Sequence, residues 1–155
     1  MPTASPAVIS ALQTSASLHW TATEHYTTIS SHLSRIGYKK LGDRFAADVE
    51  EERGHLGKVL GRLEYYLVAP TYAHAAPEWP RQDVPGILAA SLALEERTAA
   101  TERGNAVTAR DAGDELSALV FADLLAGSEA SVEQITGDLI VISQVGVDNW
   151  LANLI

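Results

Sequence analysis

The stretch DVEEERGHLGKVLGRL, from Asp48 to Leu63, decides the fold because its apolar residues follow the spacing of one long amphipathic helix. The pattern continues on both sides in steps of three or four residues, from Leu41 to Tyr66. Glu52 occupies a position that this pattern assigns to the core, and His55 follows three residues later on the same face. The pair has the form of one half of a metal site, and the other helices should carry the rest.

The same spacing predicts further helices before and after this one. Pro6 suits the start of the first helix and Gly37 its end. Asp83 is a good N-cap for the third, which Gly113 ends. We therefore predict long helices over about residues 6–36, 38–67, 84–112 and 114–145, and a short fifth helix over 147–154. The fifth is too apolar to be left exposed, so we expect it to pack at a subunit interface.

The connection between the second and third helices is a proline-rich stretch from Ala69 to Asp83, which cannot be helical. It is long for a turn and fits a crossover that runs the length of a bundle, so the helices that it joins would be parallel. No strand pattern competes with these helices. The prediction is one all-α domain over residues 1–155, a four-helix bundle with a long crossover and a short C-terminal fifth helix.

Composition narrows the class of protein. The chain has 155 residues, of which 46% are hydrophobic and 20% charged, as in a single globular domain. No apolar run approaches the roughly 18 residues of a membrane span, and no targeting pattern opens the chain, so we expect a soluble, cytoplasmic protein. Without cysteine, a metal must be held by histidine and carboxylate. The net charge of −9 argues against nucleic-acid binding.

Four ionisable residues form the candidate metal site: His19, Glu52, His55 and Glu95. Burying a carboxylate costs several kcal/mol unless it is paired or coordinates a cation. The four come from three helices, near mid-length, where antiparallel neighbours meet. A solvated helix face is the alternative for Glu52 and His55 taken alone. The remaining rings are assigned to the surface or rim (His25, His32 and His74) or to packing (Trp20 and Trp79).

These features together resemble bacterioferritin over nearly the whole chain. The resemblance rests on the spacing from Tyr26 to Gly37, the Glu52-x-x-His55 pair, Glu95 within SLALEE, and the terminal GVDNWLANLI. It implies a ferritin-like bundle, an iron-storing cage of twenty-four subunits, and a di-iron site built from one Glu on each of two helices and Glu-x-x-His on each of the other two. It makes Glu52 a bridging carboxylate, His55 and Glu95 terminal ligands, and Tyr26 the aromatic neighbour.

Three positions depart from the family's pattern at the metal site. His19 stands where the family has a glutamate, and Ser128 and Ser131 stand where it has the second Glu-x-x-His. Glu129 is adjacent, but one residue turns a side chain by about 100° around a helix. The remaining ligands suit a single metal, zinc or one iron, and we expect ferroxidase activity to be at most weak.

The haem-binding position of the family also differs. Bacterioferritins bind haem between two subunits through a methionine, and Arg53 occupies that position here. The only methionine of the chain is Met1. Because arginine cannot be an axial thioether ligand, we expect no haem of the usual type.

Three functions remain open from the sequence. The first is a bacterioferritin-like iron-storage subunit with an incomplete ferroxidase site, in a homo-oligomeric cage or in a mixed cage with an active paralogue. The second is an active ferroxidase with a rearranged site that recruits Glu129 or Glu24. The third is a mono-metal-binding or structural ferritin-like protein. The DNA-protecting mini-ferritins belong to that group and share the short motif LHW at Leu18 to Trp20, but the crossover, the fifth helix and the acidic charge do not favour them.

Overall fold

The computed structural model describes residues 3–73 and 83–154, which form five helices and, within that part of the chain, no strand. The helices are α1 (Pro6–Arg35), α2 (Lys39–Tyr65), α3 (Val84–Asp111), α4 (Glu115–Val145) and α5 (Val147–Leu151). This order confirms the predicted all-α bundle with a short last helix. The predicted crossover, with His74 and Trp79, falls largely on residues 74–82, outside the described residues. None of the helices in the described ranges combines the length and apolar character that a membrane span needs.

The helix starts are fixed by local hydrogen bonds. Ser5, Asp83 and Asp114 are N-caps, and the side chain of each accepts a hydrogen bond from the backbone N–H three residues later. Between α3 and α4 the chain reverses at Gly113, whose φ of 74° lies in the left-handed region that glycine adopts without steric cost. The short connections after α1 and α3 fold α2 back on α1 and α4 back on α3.

Two predicted helix ends are wrong by more than one residue. Helix α2 ends at Tyr65 rather than residue 67, because Leu67 has a φ of 56°, which no α-helix contains. Helix α5 ends at Leu151 rather than residue 154, because Asn153 and Leu154 donate to carbonyl groups only three residues back, which tightens the chain into turns. Leu151 packs on the core of its own chain, and a contact with another subunit stays a prediction.

The core consists of two apolar clusters at opposite ends of the bundle. Helix α1 packs mainly against α2, and α3 mainly against α4. The first cluster surrounds Phe45, Ile87 and Ile135, and the second surrounds Leu12 and Phe121. Between them, at mid-height, every long helix contributes polar side chains to a buried polar layer, which consists of His19, Glu52, His55, Glu95, Thr98, Glu102 and Ser128.

Candidate metal centre

The polar layer contains all four residues that the sequence nominated as metal ligands. His19 on α1 has no solvent exposure, and Glu52, His55 and Glu95 are also buried. His19, Glu52 and His55 come together, because one possible ligand atom of each lies within 4.8 Å of those of the other two. Glu95 stands outside that group, on α3.

Glu52 is the centre of the group. Its Oε2 lies 2.7 Å from Nδ1 of His19, and its Oε1 lies 3.3 Å from Nδ1 of His55. The two imidazole rings meet edge to face, with their centroids 5.2 Å apart. One carboxylate therefore orients two imidazoles, and each ring keeps its Nε2 atom for another partner.

The buried ionisable side chains around Glu52 change one another's pKa values. Burial lowers the pKa of His19, but the carboxylates of Glu102 and Glu52 outweigh it and raise that pKa to about 9. Burial raises the pKa of Glu52, yet hydrogen bonds from His19 and His55 bring it down to about 2. Without a metal, an imidazolium thus supplies positive charge beside Glu52 at neutral pH. A metal that binds His19 has to displace a proton, which makes its affinity depend on pH.

Glu95 behaves differently because it faces no cation directly. Its carboxylate accepts a hydrogen bond from the hydroxyl of Tyr26. Burial and the nearby charge of Glu52 raise the pKa of Glu95 to about 7, although Tyr26 and Ser128 act in the opposite direction. Burial and the charge of Glu95 also raise the pKa of Tyr26 well above its usual value. Without a cation, the ionised form of Glu95 is therefore unfavourable, and a bound metal would stabilise it.

Glu102 is a buried carboxylate that the sequence reasoning missed. It has no solvent exposure and lies two helical turns after Glu95 on α3. Its Oε1 accepts a hydrogen bond from Ser15 Oγ at 2.6 Å, and its Oε2 accepts one from Asn105 Nδ2 at 3.2 Å. The distance from Oε1 to His19 Nε2 is 3.4 Å. A signal was present, because residues 91, 95, 98, 102 and 105 follow the four-and-three spacing of one helix face.

Helix α4 brings no charged ligand to the layer. Ser128 is buried and faces Glu95, and Ser131 is half-buried. Glu129, which a rearranged site would have to recruit, is exposed and pairs with Arg103 at 2.8 Å. Gly127 gives the His55 ring its space, because a Cβ at this glycine would lie 2.7 Å from His55 Cε1.

Other nominated residues lie away from the layer or differ from prediction. Glu24, the second candidate for recruitment, borders a surface groove together with Trp20 and Arg53. His25 is buried, not at the surface as predicted, and its Nε2 lies 3.2 Å from Ser91 Oγ. It belongs to the same α1–α3 contact as Tyr26 and Glu95, because Ser91 precedes Glu95 by one helical turn.

The donor set fits a divalent transition metal. Imidazole nitrogen and carboxylate oxygen are ligands that iron and zinc share, and the layer offers both types in a region closed to water by apolar residues on either side. His19 Nε2 is a fully buried nitrogen with no hydrogen bond among the described residues, as expected of an atom suited to a cation.

Comparison with known proteins supports the fold. A family model described as a ferritin-like domain matches residues 9–139. The chain is also 24% identical over 145 residues to a bacterioferritin of Brucella melitensis biotype 1, and the alignment covers 94% of this chain and 90% of that relative.

Proposed function

The chain belongs to the ferritin-like domain family, and from that premise we propose that it is a bacterioferritin-like subunit of an iron-storage cage with an incomplete ferroxidase site. Iron is its cargo, and the polar layer is where the first ions bind. The expected cytoplasmic location stays a prediction.

The observation that carries the proposal is the polar layer itself. It buries two histidines and three carboxylates between two apolar clusters. Such groups cost several kcal/mol to remove from water unless they are paired or bind a cation. We therefore infer that His19, Glu52, His55 and Glu95 bind iron, or a single divalent metal such as zinc.

The incomplete half of the site lies on α4. Two irons a few ångströms apart need several carboxylates to offset their charge. Ser128 and Ser131 are neutral and stand where the family pattern implies a carboxylate and an imidazole. Oxidation of ferrous iron by this subunit alone is therefore at most weak, and mineral growth depends on slow oxidation or on an active paralogue in the same cage.

The proposed assembly is a cage of twenty-four subunits, either homomeric or mixed with a paralogous bacterioferritin. Its support is the apolar surface that this chain leaves uncovered, much of it on α4. The exposed large apolar residues of that helix are Leu116, Leu119, Ile140, Val141 and Val145. Exposed apolar surface of this kind is typical of subunit contacts.

Haem of the two-methionine type is not part of the proposal. Arg53 occupies the position of the haem methionine, and its guanidinium pairs with Glu50 at 2.6 Å on the outer face of α2. A guanidinium has no lone pair to offer iron, because all of its nitrogen groups are donors.

The test is to load metal-free protein with ferrous iron in air, and to measure iron per subunit and oxygen consumed per iron. The double variant Glu52→Ala/His55→Ala removes the centre, and Glu50→Ala, which changes an exposed carboxylate of the same helix, is the matched control. We expect tight binding of one iron or zinc per subunit in wild type and control, slow oxidation, and loss of binding in the double variant.

Two results would each contradict a different part of the proposal. Rapid oxidation of two irons per subunit, lost in the double variant, would make this protein an oxidase in its own right. Equal metal binding by wild type and double variant would mean that the polar layer is not where iron binds. Mass measurement of the assembled protein, alone and with a paralogue, tests the cage.

A further inference from the structure

The two ring nitrogens of His19 have different partners. Nδ1 lies 2.7 Å from Glu52 Oε2, which is a normal hydrogen-bond distance. Nε2 points to the other side of the ring, toward Glu102 Oε1 at 3.4 Å, and makes no hydrogen bond among the described residues. An imidazole nitrogen without solvent exposure and without such a bond calls for a ligand.

The distance between Nε2 and Glu102 suits a shared ion better than a hydrogen bond. A good N–H···O bond spans about 2.7–3.2 Å, so 3.4 Å is long. Two ligands of one tetrahedral metal, each bonded at about 2.0–2.1 Å, stand about 3.3–3.4 Å apart. His19 Nε2 and Glu102 Oε1 therefore already have the separation of two donors on one edge of a metal's coordination shell.

Glu52 then acquires a second role. A histidine that binds a metal through one nitrogen commonly donates its other N–H to a carboxylate, which fixes the ring and its tautomer. Glu52 Oε2 is such an acceptor for Nδ1 of His19. Once a metal displaces the Nε2 proton, the remaining proton stays on Nδ1 beside Glu52, and the lone pair of Nε2 is available to a cation next to Glu102.

We propose that His19 Nε2 and Glu102 bind a divalent transition metal, Fe²⁺ or Zn²⁺, at a subsite between α1 and α3, with Glu52 as the carboxylate that orients His19. The inference rests on the proposed function, namely that the polar layer binds metal. Ser15 and Asn105 hold the Glu102 carboxylate in place through hydrogen bonds to its two oxygens. Helix α3 thus supplies a carboxylate to a centre that has a neutral Ser128 on α4.

The subsite does not depend on His55. The Nε2 atom of that ring faces Gly127 and lies 3.8 Å from the exposed Glu51 on α2. The two Nε2 atoms therefore point to different elements, one to α3 and one to α4, so their contributions can be separated by substitution.

The test uses Zn²⁺ and Co²⁺, which need no oxidation, on metal-free protein. Glu102→Gln keeps the shape and an acceptor oxygen but removes the charge. Glu96→Gln, an exposed carboxylate on the same helix, is the matched control. Titration calorimetry should show that Glu102→Gln loses one binding event or weakens it at least tenfold, while Glu96→Gln retains that event.

A crystal of wild-type protein with Zn²⁺ gives a direct readout that requires no variant to fold. The anomalous signal at the zinc edge should fall within bonding distance of both His19 Nε2 and Glu102. A signal on Glu52 and His55 only, or unchanged binding by Glu102→Gln, would overturn the subsite but leave the proposed function standing. Absence of metal from the whole polar layer in wild type would overturn both.

Discussion

Glu95→Gln should make the metal-free protein more stable at pH 8. In the native protein, burial and the charge of Glu52 raise the pKa of Glu95 from 4.5 to about 7. An acid with a raised native pKa keeps its proton over a range where the unfolded chain has lost it, so stability falls as pH rises from about 4.5 to 7. Glutamine is neutral throughout and still offers an oxygen to the Tyr26 hydroxyl.

The size of the effect follows from the same pKa difference. A rise from 4.5 to about 7 corresponds to about 3 kcal/mol, because one pKa unit is about 1.4 kcal/mol. Glu95 is almost completely buried, so solvent screens little of this. For a chain of this size, we expect the Tm of the variant at pH 8 to exceed that of wild type by roughly 6–12 °C. At pH 4.5 the two proteins should melt within a few degrees of each other.

The assay is thermal and urea unfolding of chelator-treated protein at pH 4.5 and 8, with Glu96→Gln as the exposed control. Added Zn²⁺ should make wild type more stable than Glu95→Gln at pH 8, because only wild type offers the metal the Glu95 carboxylate. If Glu95→Gln is no more stable than wild type at pH 8, or gains the same stability at both pH values, then the Glu95 carboxylate carries no burial cost and the argument fails.

Three further changes test other parts of the structure. Gly127→Ala should destabilise the protein by about 1–3 kcal/mol in urea unfolding, because the new Cβ would lie 2.7 Å from His55. Gly137→Ala, where a Cβ meets open space, should stabilise the protein by about 0.5–1 kcal/mol. Equal effects of the two substitutions would contradict the packing of Gly127 against His55. Asp114→Asn keeps the N-cap but removes a carboxylate whose pKa is lowered by its hydrogen bonds. Wild type should therefore be more stable than the variant near neutral pH, and should lose that advantage as the pH falls below about 3.9 and through the lowered pKa of Asp114. Parallel pH profiles of stability for the two proteins would refute this. Arg53→Met should let haem titration give a spectrum of two thioether ligands that wild type does not give, and such a spectrum in wild type would refute the assignment.

The fold was predictable because the apolar periodicity of the helices agrees with the residues that begin and end them. Spacings of three and four residues marked the four long helices, and Pro6, Asp83 and Gly113 marked their limits. The errors occurred where the pattern was apolar but the backbone turned. Leu67 and the residues after Leu151 continue the apolar pattern, so periodicity alone extended both helices too far.

The site was predictable only where a charged residue interrupted an apolar stripe. Glu52 and Glu95 stand among leucine and valine, so burial could be inferred from their neighbours. Glu102 lies within ERTAATERGN, where charged and small residues surround it, and periodicity there cannot distinguish a buried face from a solvated one. His25 was assigned to the surface or rim, yet the inward face of α1 is wide enough to bury both His25 and Tyr26.

The polar layer shows how the bundle tolerates an unusual arrangement of charge. The apolar clusters above and below it contain most of the large buried side chains and pack the helices together on either side of the layer. The layer is therefore free to change its ligands, provided that each buried charge keeps a partner. Glu102 meets this condition through Ser15, Asn105 and His19. With Ser128 on the opposite helix, the negative charge of the centre lies on α2 and α3, so a cation held there is drawn toward those two helices and away from α4.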